Sequence, residues 1–116
     1  MALIDATPAT VDLKLYQGDD FFLRLAVLDT ATGQLADLSG ATPKAQIRQT
    51  PPDDAILAEL DCLVDDDGTI LLHLDNTQSL GLVGVLAWDA QLTHDDGTIQ
   101  TIASGRVRMV MEVTRP

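Results

Sequence analysis

The chain has 116 residues, 18 acidic and 7 basic side chains, and a formal net charge of −11. One domain of ordinary size fits that length, and an apolar fraction of 46% supplies a core and excludes wholesale disorder. Nucleic-acid binding and attachment to anionic membranes are disfavoured, because both draw on Lys and Arg. Aromatic residues are only 3%, so the core must be mostly aliphatic. The single cysteine, Cys62, cannot close an intrachain disulfide. The start, Met-Ala-Leu-Ile-Asp, lacks the basic n-region and long apolar run of a signal peptide. No apolar run reaches the roughly 20 residues needed to span a bilayer. Synthesis and folding in a cytoplasm are expected.

The dominant period is two. Met1–Thr10 is read as an N-terminal arm preceding a β domain over 11–116, with Leu3 and Ile4 in a loop-like context. Val11, Leu13 and Leu15 alternate with Asp12 and Lys14, which predicts a half-buried strand. Gln17-Gly18-Asp19-Asp20 breaks it. Phe21 to Leu28 then puts Phe21, Leu23, Leu25 and Val27 on one face, and Phe22, Arg24, Ala26 and Leu28 on the other. Asp29 to Gln34 reads as a hairpin loop, with Gly33 available for positive φ. Leu35 to Gly40 reads as a short irregular edge.

Lys44 to Gln49 alternates again, with Lys44, Gln46 and Arg48 outward, and Pro51-Pro52-Asp53-Asp54 ends it. In Ala55 to Leu63, Ile56, Leu57 and Leu60 suit a helix and Ala58, Leu60 and Cys62 a strand; strand is favoured, because Asp65-Asp66-Asp67-Gly68 then closes a hairpin onto Thr69–Leu74. Asp75 or Asn76 starts a short helix that Gly81 and Gly84 stop. Val85 to Thr93 is a strand with Leu86, Trp88, Ala90 and Leu92 on one face, turned by His94-Asp95-Asp96-Gly97. Thr98 to Val113 is one bent strand or two, with a bulge or kink expected at Gly105. After it, Val107, Met109, Met111 and Val113 face one way, and Arg106, Arg108 and Glu112 the other. About seven short strands with regular turn signals fit an antiparallel sandwich or small barrel.

Groups for catalysis are sparse. His73 is read as an exposed or satisfied strand residue, His94 as solvated in its turn, and Cys62 as a small buried hydrophobe. The Asp65–Gly68 run lacks the first and last ligands of a calcium loop, since Leu63 stands where an oxygen ligand should be. It reads as a soluble turn. No catalytic residue, metal site or cofactor is expected. Exposed apolar groups carry more weight. Phe22 and Val110 lie on the outer sides of strands, and Arg106, Arg108 and Arg115 cluster late in an otherwise acidic chain. With Leu3 and Ile4 they form the candidate interface, and the charge asymmetry suits contacts between copies, basic region to acidic face.

The order of short phrases carries a resemblance. Tyr16-Gln17-Gly18-Asp19-Asp20-Phe21 is followed by Ala36-Asp37-Leu38-Ser39-Gly40-Ala41-Thr42 and by Ala45-Gln46-Ile47-Arg48. Asp67-Gly68-Thr69-Ile70, Trp88-Asp89-Ala90-Gln91-Leu92, Asp96-Gly97 and Ser104-Gly105-Arg106-Val107 complete the series. From about Tyr16 to Arg115 the chain resembles small tailed-phage virion β-sandwich proteins, similar to the N-terminal domain of phage baseplate upper proteins. The resemblance implies an all-β, immunoglobulin-like antiparallel β-sandwich of about seven strands with one short helical turn. It also implies a non-enzymatic virion structural protein, an adaptor or accessory of the tail or baseplate, assembled in the host bacterial cytoplasm. Other virion proteins and copies of itself are the expected partners, with neither nucleic acid nor membrane. A capsid cement (decoration) protein is the alternative. A carbohydrate-binding module ranks lower, because few aromatics are available to stack on sugars.

Overall fold

Alternation along each strand decides which side chains enter the core, and the turns decide which strands meet. The computed structural model describes residues 9–29, 32–51 and 55–111. In chain order the elements are β1 (Ala9–Thr10), β2 (Leu13–Tyr16), β3 (Phe21–Leu25), β4 (Thr42–Arg48), β5 (Ala58–Val64), β6 (Ile70–Leu74), α1 (Asn76–Leu80), β7 (Val85–Thr93) and β8 (Ile99–Val110). β1 and β2 lie one after the other along the same side of β8, both parallel to it. β8, β7 and β4 follow as antiparallel neighbours, with the start of β5 beside β4. This is the front sheet. From Asp61 onward β5 pairs instead with β6, and β6 pairs with β3, forming the back sheet. One strand thus passes from sheet to sheet and folds the ladder over on itself. The result is an immunoglobulin-like β-sandwich.

The two inner faces supply an aliphatic core. Ala45, Ile47, Leu86, Ala90, Leu92 and Val107 of the front sheet are buried, as are Ile70, Leu72 and Leu74 of the back sheet. Trp88 is the one large ring among these fully buried side chains. Between the sheets, Leu38 plugs one end from the irregular 35–40 segment. Asp37 Oδ1 accepts from the Ser39 N–H there, and Gly40 takes φ +77°. At the other end Asp75 caps α1, its Oδ1 accepting from the Gln78 N–H at 2.8 Å. The buried Ser79 hydroxyl donates to the Asp19 carbonyl and accepts from the Gly18 N–H. Gln17 Nε2 donates to the Leu82 carbonyl at 2.7 Å. These bonds tie the β2–β3 turn to the helix.

Several expectations need correction. The edge beside β8 is broken at Val11–Asp12: the strand expected from Val11 starts at Leu13, and Ala9–Thr10 adds a short piece within the segment read as an arm, which brings the described residues to eight strands, and both pieces run parallel to β8. Pairing of β3 stops at Leu25, and Leu28 makes only an isolated bridge to Leu35. Strand β5 begins at Ala58 rather than Ala55. The bulge in β8 falls at Ile102, where the register against β7 shifts between Ala90 and Gln91, and not at Gly105. Gly105 serves clearance instead. A Cβ there would overlap the Val11 carbonyl oxygen and crowd Asp12. His94 is buried, not solvated, with Nε2 at 3.2 Å from Gln100 Oε1. It continues the inward series Leu86, Trp88, Ala90, Leu92, and the turn begins only beyond it.

Trp88 and Gly105 are register partners across β7 and β8, and they hold the break in the first strand. The indole Nε1 donates to the Val11 carbonyl at 2.8 Å, and the Arg106 N–H donates to Asp12 Oδ1 at 3.0 Å. Trp88→Ala should therefore cost about 3–5 kcal/mol in a urea titration, the usual loss for a buried large aromatic. Gly105→Ala should cost about 1–3 kcal/mol by overpacking against backbone. A Gly105→Ala variant as stable as the parent would show that the first strand lifts away at little expense.

Candidate docking face

The candidate interface residues do not form one patch. Arg106, Arg108 and Val110 point outward from the front sheet, because Val107 and Met109 between them are buried. Phe22 points outward from the back sheet, on the opposite side of the sandwich. Leu3, Ile4 and Arg115 lie outside the described residues, as do Glu112 and Val113. Met111 is exposed rather than inward.

Strand order on the front sheet brings further cations to Arg106 and Arg108. Arg48 of β4, Ala87 of β7 and Arg106 of β8 make one cross-strand row. Lys14 of β2, Arg108 and Val85 make the next, and Tyr16 with Val110 the one after. Lys44 faces outward from β4 beside Gln91. Five of the seven Lys and Arg residues of the chain thus share one sheet face: Lys14, Lys44, Arg48, Arg106 and Arg108. Glu59 and Asp89 stand among them, and the Asp12 carboxylate is engaged by the Arg106 backbone. Tyr16 and Val85 are each about half exposed, at 49% and 56%, so the cationic rows border an apolar edge. The Lys14 ammonium lies 5.9 Å from the centre of the Tyr16 ring, within cation–π range.

A cleft of about 320 Å³ opens on this face, lined by Gln46, Arg48, Pro51, Asp89, Ser104 and Gly105, with Ala87 and Trp88. It exists because Ala87, Ser104 and Gly105 are small where the flanking positions are long. Arg48 Nη2 donates to Gln46 Oε1 at 2.8 Å, which holds one wall. Asp89 sits partly buried in the cleft. Burial pushes its carboxyl above the usual carboxylate range, and the Arg48 charge pulls it part of the way back.

The back sheet carries the opposite charge. His73 stacks on Phe22 with ring centres 4.4 Å apart and planes within 5°. Its Nε2 lies 3.1 Å from Asp20 Oδ1, and its Nδ1 lies 3.9 Å from Asp61 Oδ2. The hydrogen bonds to His73 and Asn76 hold the Asp20 carboxyl below its ordinary value. Arg24 lies exposed at the adjoining turn, 2.8 Å from Asp65 Oδ2 and 3.4 Å from Asp67 Oδ2, and it also donates to Thr69 Oγ1. Arg24 thus occupies the side of the Asp65–Asp67 turn where a calcium reading would look for a cation. Among the described residues no three His, Cys, Asp or Glu side chains converge as metal ligands. The Cys62 thiol is pushed up to about 11 by burial, which makes it a poor nucleophile.

Sequence reasoning found Arg106, Arg108 and Val110 but not Lys14, Lys44 or Arg48 as members of one face. Alternation marks all of these as outward. Only the order of β2, β8, β7 and β4 shows that their outward sides coincide.

No protein-family model and no curated protein matches the chain. Among solved structures it is similar to an endo-fucoidan hydrolase of glycoside hydrolase family 107, with a TM-score of 0.51 and 15% identity. That match covers 90% of this chain but only 13% of the other. It is also similar to the fibronectin(III)-like modules of CbhA from Clostridium thermocellum, with a TM-score of 0.45 and 12% identity, over 96% of this chain and 98% of that one. At such identity the first likeness is one of fold alone, and a fold does not carry an activity with it.

The Asp89 shift fixes a sign. A carboxyl whose pKa is raised on folding weakens the fold while ionised, and the loss fades as pH falls below its unfolded value of about 3.9. Asp89→Asn should therefore unfold at a higher urea midpoint than the parent at pH 7, and the gap should close as pH approaches about 4. A lower midpoint at pH 7 would mean that attraction to Arg48 outweighs burial.

Proposed function

We propose that the chain is a non-enzymatic structural protein of a tailed-phage virion, a β-sandwich adaptor or accessory of the tail or baseplate. It docks to other virion proteins through the outer face of the front sheet. The observation that carries the docking reading is the collection of five cations on one sheet face of a chain with net charge −11. Sorting of that kind favours a specific acidic partner surface, and it steers encounter before contact. The exposed Tyr16 and Val85, with the half-buried Val110, supply apolar area beside the charges.

The virion setting is drawn from the resemblance of the turn-and-strand phrases. The non-enzymatic reading is supported by the state of the reactive groups. His73 is stacked and bonded to Asp20, His94 is buried against Gln100, and the Cys62 thiol is held protonated. None faces a nucleophile–base partner of the kind that hydrolysis requires.

Quantitative mass spectrometry of purified particles tests the reading directly. The chain should be present at a fixed copy number per particle. The charge-reversed variant Arg106→Glu/Arg108→Glu should fold, as judged by its thermal midpoint, yet fall at least about tenfold in incorporation, since like charges opposed across an interface are costly. Particles that lack the chain would overturn the virion assignment. Undiminished incorporation of the variant would overturn the docking face.

A further inference from the structure

The two outer faces of the sandwich point away from each other and carry opposite charge. The front face gathers Lys14, Lys44, Arg48, Arg106 and Arg108. The back face has Asp20 and Asp61 around the Phe22–His73 stack, with Asp65, Asp66 and Asp67 at its adjoining turn. Its one Lys or Arg among the described residues, Arg24, is matched by Asp65 and Asp67. Each face also has exposed apolar groups beside its charges, Tyr16 and Val85 in front, Phe22 and Leu63 behind, the last two each 59% exposed. We propose that the partner surface for the cationic front face is the acidic back face of a second copy of this chain. Copies then stack face to back, in a heterologous contact that repeats along an axis or closes into a ring. The proposal rests on the docking reading of the front face and names its occupant.

Physical scale gives this contact a signature. Each copy carries −11, so whole molecules repel. Stacked copies would have their centres separated by about the short dimension of the molecule, 21 Å. At about 0.15 M salt the screening length is about 8 Å, so repulsion between centres is largely suppressed while charges in contact still attract. At about 0.01 M that length is about 30 Å and the repulsion returns. At about 1 M it is about 3 Å, and the contact charges are themselves screened. Self-association should therefore pass through a maximum near intermediate salt. Association driven by apolar area alone would rise steadily with salt instead.

Sedimentation equilibrium of the full chain across this salt range tests the proposal. The weight-average mass should rise to about twice the 12.4 kDa of one chain, or more, near about 0.15 M and fall toward one chain at both extremes. Two variants then separate the faces. Arg106→Ser/Arg108→Ser keeps the acidic back, and Asp61→Asn/Asp66→Asn keeps the basic front. Each alone should sediment as a single chain with an unchanged thermal midpoint. Mixed, they should form a one-to-one pair and nothing larger, because one competent contact remains. A chain that stays single at every salt concentration, a mass that climbs steadily with salt, or a mixture that does not pair would overturn the face-to-back contact. Incorporation into particles by a chain that never self-associates would sink this inference and leave the docking reading standing. Face-to-back association by a chain missing from particles would uphold the contact and remove the virion assignment.

Discussion

The hydrogen bond from the Trp88 indole to the Val11 carbonyl is the constraint on which the front sheet depends. β1 and β2 are short, and they lie parallel to β8, a pairing slightly weaker per residue than an antiparallel one. Between them the Val11 N–H still donates to the Ser104 carbonyl, and the ladder lapses from the Val11 carbonyl through Asp12. Three groups repair the interruption: the Trp88 ring, the bare backbone of Gly105, and the Asp12 carboxylate, which accepts the Arg106 N–H in place of a backbone carbonyl. Without that repair Leu13 and Leu15 lose their seat over the core. Lys14 then loses its place beside Arg108. The same junction thus closes the core and assembles the cationic face.

The core explains why one ring bears so much of this. Apart from Trp88 its fully buried members are aliphatic, with well-defined rotamers and no polar atoms to satisfy. Polar side chains enter where another polar group needs a partner. Gln17 and Ser79 serve the turn between β2 and β3, and His94 serves the far end of β7. Each meets a named acceptor or donor, so burial is matched by hydrogen bonding.

Much of the fold was legible because strand alternation and turn chemistry are local. Inward positions such as Leu72 and Leu74, the Asp75 cap and the Asp96-Gly97 turn are all read from neighbours within four residues. What escaped depends on distance in sequence. The break at Val11 is fixed by Trp88, 77 positions away, and the role of Gly105 follows from that approach rather than from its own φ. The burial of His94 was within reach, since it extends the even-numbered inward series of β7, but the turn signal beginning at the same residue masked it. The cationic face was the hardest to read. Its five members come from three strands whose adjacency no local pattern encodes.

A β-sandwich has two outer faces whose compositions vary independently, because alternate residues of each strand answer to different neighbours. A chain could spread its few cations evenly among its acids and gain weak local pairs. Here Arg24 alone is placed that way, between Asp65 and Asp67. The other described cations are gathered on the front sheet, with Glu59 and Asp89 among them. Concentrated charge on one face and its opposite on the other gives a protein of large net charge a directional preference. Repulsion between whole molecules disfavours random contacts, and the proposed face-to-back orientation reverses the sign at close range. In the proposed docking, specificity therefore comes from where the strands place a small number of arginines and lysines, not from their number.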